Sequence, residues 1–126
     1  MYIAIDFDGT IVTHEYPKIG RDIGAFEWLK KFQEYEDVKL ILYAMRSGKE
    51  LEEAVQYCRD NDVEFWSVND NPDQYNWTTS RKIYAHIYID DCNIFSPLLF
   101  DIKSNRNYLN WNVVGPRILQ IIKSMC

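Results

Sequence analysis

The chain has 126 residues, 47% of them hydrophobic and 15% aromatic, and a formal net charge of -5. That is enough apolar material for one packed domain and too much for a disordered chain. The acidic balance argues against a general nucleic-acid binder, because affinity for a phosphate backbone needs clustered Lys and Arg. No apolar run reaches the roughly 18 residues of a transmembrane helix.

Tyr2 to Ile5 reads as a buried strand that delivers Asp6 and Asp8 to a sheet edge. A core strand at the N-terminus is expected in place of a signal peptide. In an extended chain Asp6 and Asp8 leave on one side while Phe7 points inward. Two such carboxylates repel each other, and a divalent cation or a shared proton relieves the repulsion. A bare Asp-x-Asp equally describes a solvated strand end, but Gly9 allows the backbone to turn and approach a ligand closely. Ile11 to Gly20 has no helical period and is expected to form a small flap, with His14, Lys18 and Arg21 as a basic rim over an anion. The alternative for each of the three is an ordinary polar loop.

Asp22 is expected to cap a helix to about Tyr35 with Ala25, Trp28, Leu29 and Phe32 inward. Val38 to Tyr43 suits a strand buried on both faces of a parallel sheet. Ser47-Gly48-Lys49-Glu50 reads as a capping box for a helix to about Asp60, and Glu64 to Val68 as a third strand. After a polar loop with Pro72, Ser80 is expected to cap a short helix carrying Arg81 and Lys82. Ile87 to Ile89 is another strand, ending in Asp90 and Asp91, so acids stand where a strand stops for a second time. Leu98 to Lys103 and Asn107 to Val113 suggest a hairpin. Gly115-Pro116 is expected to open a last helix with Ile118, Leu119, Ile122 and Met125 inward. Alternating strands and helices predict a three-layer α/β sheet with ligands beyond the carboxyl ends of the strands. If the Asp90 strand lies beside the Asp6 strand, all four carboxylates share one crevice. Cys58, Cys92 and Cys126 are odd in number and lack metal-site or disulfide spacing, which predicts reduced thiols in a cytoplasm.

Asp6-Phe7-Asp8-Gly9-Thr10 behind an N-terminal hydrophobic strand resembles the nucleophile motif of the haloacid dehalogenase (HAD) superfamily. His14-x-Tyr16-Pro17-x-Ile19-Gly20 resembles the flap of its compact subgroup related to Bacteroides phosphatases. The likeness covers residues 1–93 and the final helix. It implies a Rossmannoid three-layer fold with a central parallel sheet, a flap and no cap domain, residues 1–126 forming a single unit. It also implies a Mg2+-dependent phosphomonoesterase. Asp6 would be the nucleophile and Asp8 the acid and base. Lys82 would offset charge, with Arg81 as the alternative. Mg2+ would be held by Asp6, Asp8 through its carbonyl, and Asp90, with Asp91 either a further ligand or an orienting group.

Thr10 and His14 are further candidates for holding the phosphoryl group. The family places a Ser or Thr where this chain has Ala44, a departure that implies slow turnover. Arg46 is the candidate for a compensating bidentate phosphate contact. Ser47 either reaches the site or caps the helix. An open site implies a large phosphorylated substrate, a macromolecular end, or closure by a second subunit. The competing functions are, from a different class, a catalytically weak phosphate-sensing or protein-binding module that keeps the metal site and, third, a receiver-like phosphoacceptor with Asp70 as acceptor. Cys92 is expected to be a buried inert thiol, and Asn93 to orient the acid pair or cap a turn.

Overall fold

The computed structural model describes residues 1–125, so Cys126 lies outside the described residues. Four short strands form a parallel sheet: β1 (Tyr2–Ile5), β2 (Lys39–Leu42), β3 (Ser67–Val68) and β4 (Ile87–Ile89), in the order β3-β2-β1-β4. The chain steps outward from β1 through β2 to β3, then returns to place β4 on the other side of β1. Strand order therefore reverses between β1 and β4, where a parallel sheet opens a crevice at its carboxyl end. In register, Ile5 of β1 lies between Leu42 and Ile89. The residues after Ile5 and Ile89 thus emerge side by side, and the Asp6 amide donates to the Ile89 carbonyl at 2.9 Å.

Side-chain alternation divides the sheet into two unlike faces. Ile3, Ile5, Leu40 and Leu42 join buried residues of α1 (Ala25–Gln33), α2 (Gly48–Asp60) and α3 (Trp111–Met125) in one core. The opposite face, which carries Tyr2 and Lys39, is covered by residues 69–86, whose only helical turn is a 3-10 segment over Pro72–Asn76. Tyr2 Oη donates to Asp73 at 2.7 Å and Lys39 Nζ at 2.9 Å. A third layer is thus present, but it is not an α-helix. The short helix expected after Ser80 is absent. The side chain of Gln74, buried under this segment, donates to the carbonyls of Ser80 and Lys82 and accepts from the Tyr84 amide. Those backbone groups are committed to a side chain instead of to helical bonds.

Other helix boundaries also differ from expectation. Asp22 does not cap α1; it pairs with Val12 at the base of the flap, and α1 begins after Gly24, whose φ of 88° stops the turn. Ser47 stands at the N-cap of α2, but its side chain makes no capping bond. Helix α3 starts at Trp111, not Gly115, because the Asn110 side chain accepts from the Asn112 amide at 3.1 Å. Pro116 consequently lies inside the helix, and Met125 is exposed. Gly115 lets α3 approach α1, since a Cβ there would stand 2.2 Å from the Trp28 ring. The expected hairpin is present as β5 (Leu98–Asp101) and β6 (Arg106–Leu109), an antiparallel pair. Among the described residues no helix is long and apolar enough to cross a membrane.

Candidate active site

The chain leaves β1 into a tight turn. Ile11 N and Thr10 N return to the Phe7 carbonyl, and Gly9 takes a φ of 83° that side chains rarely adopt. A Cβ on Gly9 would also lie 2.5 Å from an Asp91 oxygen and 2.6 Å from the His14 ring, so the turn needs glycine for space as well as conformation. Phe7 is fully buried, while Asp6 and Asp8 both face a cleft. The cleft has a volume of about 610 Å³ and is also lined by His14 and Tyr16 of the flap, Met45, Arg46, Asp90, Asp91, Cys92 and Arg106. All four expected carboxylates therefore meet in one crevice at the β1/β4 switch.

Three of them form a crowded group. Thr10 is fully buried; its hydroxyl lies 3.0 Å from Asp6 Oδ2 and 3.2 Å from Asp91 Oδ1, and accepts from the Asp91 amide. One proton thus serves two carboxylates. Burial, then the charge of Asp90 and a hydrogen bond with Asp91, pushes the Asp6 carboxyl far above the usual carboxylate range. Burial also raises Asp90, with Asp91 adding to the effect. Oxygens of Asp90 and Asp91 and the Cys92 sulfur lie within 4.8 Å of one another. No Lys or Arg pairs with Asp6, Asp90 or Asp91 among the described residues; His14 Nε2, 3.7 Å from Asp91, is their nearest basic group. Hard oxygen donors pressed together in a partly buried crevice are a donor set that a small divalent cation would relieve.

Asp8 is placed quite differently. Both its oxygens accept from Arg46, at 2.8 Å from Nε and 2.7 Å from Nη2. The Arg46 guanidinium donates further to the carbonyls of Pro17, Lys18 and Glu50, and lies over the rings of Phe7, at 4.9 Å, and Tyr16, at 5.2 Å. It is 2% exposed, and the donors expected to meet a phosphate are engaged by Asp8, the flap and α2.

A structure search finds a solved structure described as a conserved protein coded by a locus of Bacteroides thetaiotaomicron. It is 38% identical, with a TM-score of 0.75, over 95% of this chain and 90% of that one. The chain belongs to that protein's family. No protein-family model matches the chain, and no curated protein matches it.

In this member of the family, several residues singled out from the sequence are not brought to the cleft. Lys82 is exposed in a separate depression with Trp77, Tyr84 and Tyr88, its ammonium 5.8 Å from the Tyr88 ring. It is kept there because Gln74 holds the Lys82 carbonyl on the loop side of the sheet. Arg81 is not among the cleft residues either. Thr10 holds Asp6 and Asp91, with no exposed hydroxyl to offer a phosphoryl group. Of the expected basic rim, His14 alone reaches the cleft. Arg21 pairs with Glu15 and Asp101, and Lys18 contributes its carbonyl to Arg46. Asp70 bonds Tyr75 outside the cleft. Asn93 donates to the Tyr88 carbonyl and so holds the turn, not the acids. Cys92 is exposed, not buried, and the charge of Asp91 and partial burial raise its thiol.

Arg106, Met45 and Tyr16 were not assigned to the site from sequence. Arg106 arrives because the hairpin is anchored to the acid-bearing turn: the Leu109 amide donates to the Gly9 carbonyl at 2.8 Å, and Trp111 Nε1 to the Thr10 carbonyl at 2.6 Å. The nearest sequence signal is the polar-capable Trp111 beside a hairpin, since a buried indole N–H needs an acceptor.

Proposed function

We propose that the cleft hydrolyses a phosphomonoester through a covalent phosphoryl-enzyme on Asp6, as the likeness of residues 6–10 to the HAD nucleophile motif implies. The observation that carries this reading is the crowding of Asp6 with Asp90 and Asp91 at the sheet's switch point. Carboxylates so arranged are costly unless a cation is part of the working site. Asp6, Asp90 and the Asp8 carbonyl, with Asp91 as ligand or orienting group, would hold Mg2+, which supplies positive charge to the phosphoryl oxygens.

An Asp6 oxygen attacks phosphorus in line as the bond to the leaving oxygen breaks, and Asp8 gives that oxygen its proton. Water then attacks the aspartyl-phosphate, Asp8 takes the proton back, and orthophosphate leaves with Asp6 restored. Thr10 keeps Asp6 aimed throughout. For its proton transfers Asp8 exchanges one bond to Arg46 for the substrate or water oxygen. Ala44 brings no hydroxyl to the phosphoryl group; a missing charge-assisted bond costs ~1.5–3 kcal/mol, roughly ten- to a hundred-and-fifty-fold in rate. The cleft suits a compact phosphomonoester or the phosphorylated end of a macromolecule, in a cytoplasmic setting.

A second reading, a phosphate-sensing or protein-binding module with little turnover, is favoured by one observation: Asp8 is held by both oxygens in the Arg46 pair. Hydrolysis of an aryl phosphate with Mg2+ or with chelator, beside Asp6→Asn and Ala44→Ser, separates the two. Metal-dependent turnover lost in Asp6→Asn and raised in Ala44→Ser supports the phosphatase. A silent wild type with an active Ala44→Ser supports the binding module, and silence from all variants across a panel of phosphomonoesters sinks the catalytic reading.

A further inference from the structure

Charge in the cleft is out of balance. Four carboxylates line it, and an incoming phosphate dianion would be repelled by each of them. Two arginines reach it, and Arg46 is consumed by Asp8 and three carbonyls. Arg106, at the start of β6, is in a different situation. Its cross-strand neighbour is Asp101, the natural partner for an arginine in an antiparallel pair. That carboxylate is instead taken by Arg21 and the Ser104 amide. Arg106 is thereby left without a carboxylate partner among the described residues, and it faces the cleft. Its Nη2 lies 3.3 Å from His14 Nε2, which is itself 3.7 Å from Asp91. With the His14 proton on Nδ1, one Arg106 N–H is accepted there, and the remaining donors of the planar fork are available to a ligand.

We propose that Arg106 is the substrate-binding residue that holds the phosphoryl oxygens in this cleft, so that the β5–β6 hairpin takes over anion recognition that neither Lys82 nor a hydroxyl at position 44 provides. The proposal rests on the phosphomonoester reading for its substrate class. The geometry is fixed relative to the acids, because Leu109, three residues further along β6, and Trp111 are bonded to the Gly9 and Thr10 carbonyls. Guanidinium suits the task because its parallel N–H groups match two oxygens of a tetrahedral phosphate.

The test measures orthophosphate binding by calorimetry in the presence of Mg2+, and KM and kcat for an aryl phosphate, in wild type, Arg106→Gln and Arg106→Lys. Loss of one charge-assisted contact is expected to weaken orthophosphate about tenfold to a hundredfold in Arg106→Gln. KM should rise in proportion, and Arg106→Lys should recover part of the loss. The thermal midpoint should not move, because Arg106 is exposed, whereas a structural role would shift the midpoint and leave phosphate affinity alone. Orthophosphate binding that is absent in wild type, or unchanged within about twofold in Arg106→Gln, overturns the proposal. If wild type hydrolyses nothing yet binds orthophosphate in an Arg106-dependent way, the anion site stands and the phosphatase reading falls. If turnover needs Asp6 but neither KM nor phosphate affinity responds to Arg106, the reverse holds.

Discussion

Asp6 and Asp8 are two residues apart, yet their surroundings are opposite. Asp6 stands against Asp90 and Asp91 and shares one Thr10 hydroxyl with Asp91, whereas Asp8 has both oxygens matched by a buried guanidinium. The first group is frustrated without a ligand; the second is satisfied without one. Charges at the β1/β4 switch are therefore available for chemistry, while the Asp8–Arg46 pair ties together the turn, the flap and α2. Removing a charge should accordingly have opposite consequences in the two places.

The largest effect is expected from Arg46→Ala. Breaking a buried ion pair strands Asp8 and three carbonyls, and such losses run to about 3–5 kcal/mol. Asp6→Asn, by contrast, removes a carboxyl that the folded state crowds and pushes up in pKa, and should leave stability unchanged or raised. Denaturant unfolding of both variants checks the contrast, and a destabilised Asp6→Asn beside a stable Arg46→Ala would break it. Thr10→Val comes next: it deletes the one donor between Asp6 and Asp91 and leaves the Asp91 amide without its acceptor. A cost of about 1–3 kcal/mol is expected, together with reduced turnover. A fully stable Thr10→Val would show that the acids do not depend on that hydroxyl.

A further effect concerns pH. The native Asp6 carboxyl is raised from an ordinary 3.8 to about 8. Between those values the native state holds a proton that the unfolded state has released, so stability falls as pH rises through that window. Unfolding of chelated protein from pH 4 to 8 should show this decline, and Asp6→Asn should flatten it. The same decline in Asp6→Asn would place its origin elsewhere. The smallest effect is chemical. Cys58 is buried in the core, with its thiol pushed up to about 12, while Cys92 is exposed at the acid group. Native-state alkylation followed by peptide mass spectrometry should label Cys92, slowly because of its acidic neighbours, and spare Cys58 until the protein unfolds. Labelling of Cys58 in the folded protein would contradict the closed core.

Much of the sheet and of its acids was legible in the residue pattern. Short apolar runs followed by aspartate mark Ile5-Asp6 and Ile89-Asp90, because a buried strand must reach water where its charges begin. The hairpin was visible in the apolar stretches flanking Ser104 to Arg106. The segment from 69 to 86 was not readable, because the Gln74 side chain overrides local helix signals by capturing backbone groups eight to ten residues away. The start of α3 is hidden from the local pattern for a related reason: Asn110 closes the hairpin and caps the helix at once.

The sequence by itself determined where the carboxylates of this protein lie, since strand ends follow from local hydrophobic pattern and charge. Only the tertiary structure decided which cation reaches them. Arg46 meets Asp8 across 38 positions, Arg106 meets His14 across 92, and Lys82 is turned away by its loop. Long, flexible basic side chains take whichever partner the packed chain leaves in reach, and that choice is made by contacts no local window contains.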